Sequence, residues 1–193
     1  MERVLRNARG DCVTLLNYGA RLTRIELQLP DGIRNVICGY KDNVEYLTDP
    51  YFMGATAGRT CNRIAGAHFK LDGVNYPLDV NDGENHLHGG ADGFHNRYWS
   101  IDAAVPDDTG RFLLWSADGD QGYPGTLEAS VTYRWTDERE LVIQMEAETD
   151  RLTHVNMTNH AYFNLAAGDT DVLGHRLHIA GRQILQVNEE LLP

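Results

Sequence analysis

The chain has 193 residues, 42% hydrophobic and 23% charged, the make-up of an ordinary globular protein with a sizeable core. Its 28 acidic residues against 17 basic ones give a formal charge of −11. That field repels phosphate backbones and acidic headgroups, so it argues against nucleic acid or a membrane surface and for a neutral small molecule as partner.

At the start, Met1 to Asp11 mixes Arg3, Arg6 and Arg9 with Glu2 and Asp11 and builds no secretory signal. No apolar run in the chain reaches the roughly 18 residues that a membrane span needs. Residues 12–18 and 22–29 read as strands parted by Gly19-Ala20. Residues 42–49 suggest one short helical turn. Phe69-Lys70-Leu71, Asp72-Gly73 and Val74-Asn75-Tyr76 form a hairpin signal, because Asp-Gly supplies the positive φ of a tight turn. Residues 111–117, 126–135 and 140–148 are further strands, the last two joined across Thr136 to Arg139. Their two-residue period puts Val131, Tyr133 and Trp135 on one face and Leu141, Ile143 and Met145 on another. Many short strands between turn signals predict an all-β fold, an antiparallel β-sandwich. Cys12, Cys38 and Cys61, widely spaced and outside any C-x-x-C arrangement, predict reduced, buried thiols and a cytoplasmic protein.

Three segments are too polar for plain strand or turn. In 54–66, Asn62 and Arg63 stand among small residues, either as a loop with a surface Arg or as donors aimed into a cavity. In 81–97, His86 and His88 would share a strand face before Gly89-Gly90, with His95 nearby. They are either metal ligands or histidines satisfied by hydrogen bonds; no carboxylate follows at cupin-like spacing, so no metal is expected. In 154–165, Asn156, Thr158, His160 and Tyr162 share one face, with Val155, Met157, Ala161 and Phe163 on the other, which would face the core. A face of neutral donors and acceptors with an aromatic suits sugar hydroxyls, although a solvated face would read the same way. A histidine there suits proton transfer near neutral pH.

GRTCNRIAG, NHLHGG, GDQGYPG and VNMTNHAYFNL, in this order along nearly the whole chain, resemble the aldose 1-epimerase family. The resemblance implies a galactose mutarotase-like supersandwich truncated at its C-terminal side, with residues 1–193 a single incomplete domain. It implies anomer interconversion of an aldose such as galactose or glucose by acid/base ring opening, with no cofactor. By the same resemblance, Asn62 and Arg63 bind sugar hydroxyls, His88 contacts substrate near the ring and can share proton donation, His160 is the general acid, and Tyr162 lines the pocket. The family's base, a Glu far toward the C-terminus, is expected to be missing. The chain alone is therefore expected to be inactive, with strand edges open to self-association. Alternatives are a non-catalytic carbohydrate-binding module, a sugar-phosphate epimerase of the same superfamily and a cupin-like metalloenzyme.

Overall fold

The structure, a computed structural model, describes residues 1–166 and 170–193. Four strands, β1 (Glu2–Arg6), β2 (Cys12–Leu16), β3 (Arg21–Leu29) and β4 (Gly32–Asn35), form an antiparallel meander. Gly19 and Ala20 make the β2–β3 turn with positive φ, as their position between two apolar runs predicts. β1 escapes sequence reading because its alternation buries only Leu5 completely, amid charged neighbours.

Short paired pieces follow: β5 (Thr56–Ala57), β6 (Arg63–Ile64), the hairpin β7 (His68–Leu71) and β8 (Val74–Pro77) turning on Asp72-Gly73, and β9 (His86–Leu87). The helical turn expected at 42–49 is a 3-10 turn, Asn43–Thr48, boxed at its start by Asp42 and Glu45.

The second sheet is another meander of β10 (Ser100–Asp102), β11 (Thr109–Ser116), β12 (Leu127–Trp135) and β13 (Leu141–Thr149). Val131 pairs with Met145, Tyr133 with Ile143 and Trp135 with Leu141. The inward row of β12 is buried against Leu5, Val13, Leu15 and Leu22 of the first sheet, so two sheets share one core as a β-sandwich. Tyr133 crosses that core to donate its hydroxyl proton to the Ala20 carbonyl at 2.7 Å. Asp11, buried, takes Arg139 of the β12–β13 turn at 2.8 Å, which holds its carboxyl down at about 2. A last short strand, β14 (Thr158–Asn159), pairs back with β5.

Two expectations need correction. Of the three free cysteines only Cys12 is buried; Cys38 is exposed and Cys61 half-buried. Residues 154–165 form not one amphipathic strand but β14 flanked by isolated bridges at Asn156 and Phe163. Met157 and Ala161 do pack on the core, whereas Val155 and Phe163 are 40% and 55% exposed. The segment steps between β5 and the β3–β4 region, and this breaks its two-residue period. Among the described residues, no helix is long and apolar enough to cross a membrane.

Candidate active site

The pairing of β6 with β9 sets Arg63 opposite Leu87. Immediately outside this pair, Asn62 and His88 both adopt left-handed backbone, with φ of 60° and 52°. The Asn62 N–H donates to His88 Nδ1 at 3.0 Å, and the His88 N–H donates to the Asn62 carbonyl at 3.1 Å. Because Nδ1 accepts, the neutral ring carries its proton on Nε2. Gly89 continues this turn with φ +87° and lies so close to Gly58 that a Cβ would stand 1.7 Å from the Gly58 carbonyl oxygen.

From the other side, β14 and β5 carry His160 to the same place. Its N–H donates to the Ala55 carbonyl at 2.8 Å, and its carbonyl accepts from Gly54 at 3.0 Å. The His88 and His160 rings meet edge to face with centroids 5.1 Å apart, and Tyr162 lies 5.1 Å from His160. Arg63 is oriented by Asp82, Nε to Oδ2 at 2.7 Å, with Nη1 3.4 Å from Asn62 Oδ1. Asn62, Arg63, His88, His160 and Tyr162 thus line one cleft of about 610 Å³. Among the described residues, no aspartate or glutamate lines it. A groove of about 680 Å³ on the solvent face of the second sheet, around Trp115 and Glu128, includes none of these residues.

His86 and His88 do not share a face, contrary to the strand reading. β9 ends at Leu87, and the left-handed backbone at His88 turns its ring away. His86 is fully buried, its Nδ1 donating to the Asp79 carbonyl at 2.6 Å and its Nε2 accepting from the Tyr123 hydroxyl at 2.9 Å. Burial pushes the His88 imidazole down to about 4, helped by His160 and Arg63. Burial, with Arg21 adding, pushes His95 to about 3. Among the described residues, no three His, Cys, Asp or Glu groups are placed to hold a metal ion.

The aldose 1-epimerase family model matches residues 2–193. The chain belongs to the aldose 1-epimerase family. It is 42% identical to the aldose 1-epimerase of Escherichia coli K12 over 190 residues, which is 98% of this chain and 55% of that protein. It is 39% identical to the galactose mutarotase of Sus scrofa, covering 94% of this chain and 53% of the relative. The aldose epimerase homologue from C. elegans superposes with a TM-score of 0.83 at 31% identity, over 88% of this chain and 52% of that one. The galactose 1-epimerase of Lactobacillus acidophilus gives 0.75 at 35%, over 84% and 48%. The chain spans about half the length of the curated relatives it matches.

In this aldose 1-epimerase family member, sequence reasoning passed over one residue of the cleft lining, Phe52, and one outside it, Asp82. Phe52 packs its ring against His88, His95 and His160, and Asp82 holds Arg63. A Phe within a Tyr-Phe-Met run gives no local signal of a cleft. Under the function proposed below, the two neighbouring histidines yield a direct expectation: His88→Ala weakens aldose binding, whereas His86→Ala lowers stability with little change in affinity once folded. Isothermal titration with galactose, alongside urea denaturation, checks both, and equal affinity losses would remove the distinction between them.

Proposed function

We propose that this cleft binds an aldose and supplies the proton-donating side of its α/β interconversion. The observation that carries this reading is the pairing of two histidines in a cleft lined by Asn62, Arg63 and Tyr162: His88 is held neutral with Nε2–H free to donate, beside His160. In the reaction, a base removes the C1 hydroxyl proton while an acid protonates the ring oxygen. The bond from C1 to the ring oxygen breaks, leaving an aldehyde and a hydroxyl. Rotation about C1–C2 and reclosure, with the protons returned, give the other anomer. His160 is the acid; His88 hydrogen-bonds the ring oxygen from Nε2 rather than releasing a proton. Arg63, fixed by Asp82, and Asn62 hold hydroxyls, and Tyr162 lies against the sugar ring. Arg63 is already engaged by a carboxylate, which favours a neutral sugar over a sugar phosphate.

By family resemblance the proton acceptor is a later glutamate, in a region this chain does not span. A second reading, sugar binding without turnover, keeps the contacts of Asn62, Arg63 and His88 and needs no proton acceptor. Polarimetry on freshly dissolved α-D-galactose separates the two. The chain alone should add little to spontaneous mutarotation. Adding the C-terminal half of a close relative should restore catalysis, and His160→Ala should remove the ~10²–10⁴-fold of a general acid. Saturable galactose binding with no turnover in the mixture would establish the binding-module reading. Full activity from the isolated monomeric chain would show the base to lie within residues 1–193.

A further inference from the structure

The Asp49 side chain is fully buried, and its carboxylate serves four donors. Oδ2 accepts from Arg21 Nη1 at 2.5 Å and from the Met53 N–H at 2.7 Å. Oδ1 accepts from the Tyr51 N–H at 2.9 Å and the Tyr40 hydroxyl at 3.0 Å. The backbone N–H groups on either side of Phe52 therefore converge on one carboxylate. Between them, Phe52 is held at φ 57°, a conformation that bulky L-residues seldom adopt. Arg21, also fully buried, closes the loop from behind, donating to the Met53 carbonyl at 2.9 Å and the His95 carbonyl at 3.2 Å. The Tyr51 carbonyl accepts the Tyr162 hydroxyl at 3.0 Å, so the same loop also anchors an aromatic of the cleft.

Clamped in this way, Phe52 does not disappear into the core. It is half-buried and lines the cleft, with its ring centroid 4.7 Å from His88, 4.7 Å from His95 and 5.8 Å from His160. It meets His88 and His95 edge to face, at 61° and 71°, a favourable arrangement for aromatic pairs.

We propose that Phe52, clamped by the buried Arg21–Asp49 pair, is a positioning residue of the cleft whose ring sets the orientation of the His88 and His160 imidazoles toward a bound aldose. This deepens the function proposed above and rests on it. Without the ring, His88 keeps its bond to the Asn62 backbone but loses the wall that holds its plane and keeps water from its face. Orientation matters because an N–H aimed away from the ring oxygen contributes little, and displacements of about 1 Å at a site can cost ~10²-fold.

The test uses the 193-residue chain and needs no turnover. Phe52→Ala, Phe52→Leu and Phe52→Tyr are compared by nitrogen NMR of the imidazoles across pH, then by galactose titration. His160, Arg63, Asp82 and His95 still face His88 in every variant, so changes report on the ring at position 52. Phe52→Ala should raise the His88 midpoint by about one pH unit or more, while the Asn62 N–H keeps the neutral ring's proton on Nε2. Phe52→Leu should give a smaller change in the same direction, and Phe52→Tyr should restore the parent behaviour. Galactose affinity should fall about tenfold in Phe52→Ala and recover in Phe52→Tyr. If Phe52→Ala fails to fold, Phe52→Leu against Phe52→Tyr carries the comparison. A folded Phe52→Ala or Phe52→Leu with unchanged His88 midpoint and affinity overturns the proposal. If the parent binds no aldose, the proposed function fails, while the NMR result still decides whether Phe52 sets the rings.

Discussion

Placing one methyl group on Gly89 is expected to destroy the cleft. Two separate costs act at this position. A residue with a Cβ at φ +87° lies in left-handed space, which costs roughly 1–2 kcal/mol. The new Cβ would also stand 1.7 Å from the Gly58 carbonyl oxygen, 2.2 Å from its carbon and 2.7 Å from the Arg59 nitrogen, all backbone atoms. That backbone has little room to retreat. The Gly58 carbonyl accepts from the Phe94 N–H at 3.1 Å, and the buried Arg59 guanidinium is tied to Ser116, Ala117 and Pro124. Gly89→Ala should therefore lose about 3 kcal/mol or more, the range of disruptive core substitutions. Gly73→Ala is the control: its φ is +79°, yet nothing lies within 4 Å of the added carbon. It should cost only the conformational part, about 1 kcal/mol. Urea midpoints of the two variants measure the difference. Similar losses in both would mean that the close approach of Gly58 and Gly89 does not constrain the fold.

The sandwich was legible because its strands obey a local rule. In β12 and β13, each residue's face follows from the next by alternation, and the Thr136–Arg139 break is confined to a few polar residues. The hairpin at Asp72-Gly73 is equally local. The candidate site was legible in its residues but not in its geometry. Asn62, Arg63, His88, His160 and Tyr162 were read from motifs, and they share one cleft. The face-sharing of His86 and His88 failed because one left-handed residue undoes the two-residue period, and nothing in NHLHGG marks where the strand ends. Phe52 was invisible for a different reason. Its placement depends on Asp49 meeting Arg21, 28 positions earlier in the chain, and on His88, 36 positions later. Such partners are fixed by tertiary packing, which periodicity cannot report.

Acid should weaken this fold from about pH 6.5 downward, and His95 should account for much of the loss. His95 is only 3% exposed, with Nδ1 lacking a hydrogen-bond partner among the described residues, and burial holds its imidazole at about 3. The unfolded chain restores its ordinary value near 6.5. Since the folded value is the lower one, the neutral ring's contribution is complete above about pH 6.5. It is lost as pH falls toward 3, because only the unfolded state gains the proton in that interval. At about pH 4.5, two pH units below the unfolded value, the loss is about 2–3 kcal/mol at 1.36 kcal/mol per unit. His88, held at about 4, and His86, lowered by burial, act in the same direction. Asp11 does not confuse this window: its carboxyl, lowered from 3.8 to about 2 by Arg139, contributes fully above 3.8 and weakens only below it. Urea denaturation at about pH 7.5 and about pH 4.5 measures the total, and His95→Phe isolates one part. That variant removes the titrating group while keeping a ring against Phe52, so whatever it costs at neutral pH, its further loss on acidification should be smaller by about 2–3 kcal/mol. An unchanged acid loss in His95→Phe would mean that His95 takes up its proton in the folded state as readily as in the unfolded one. The dry packing of Phe52 against it would then be wrong.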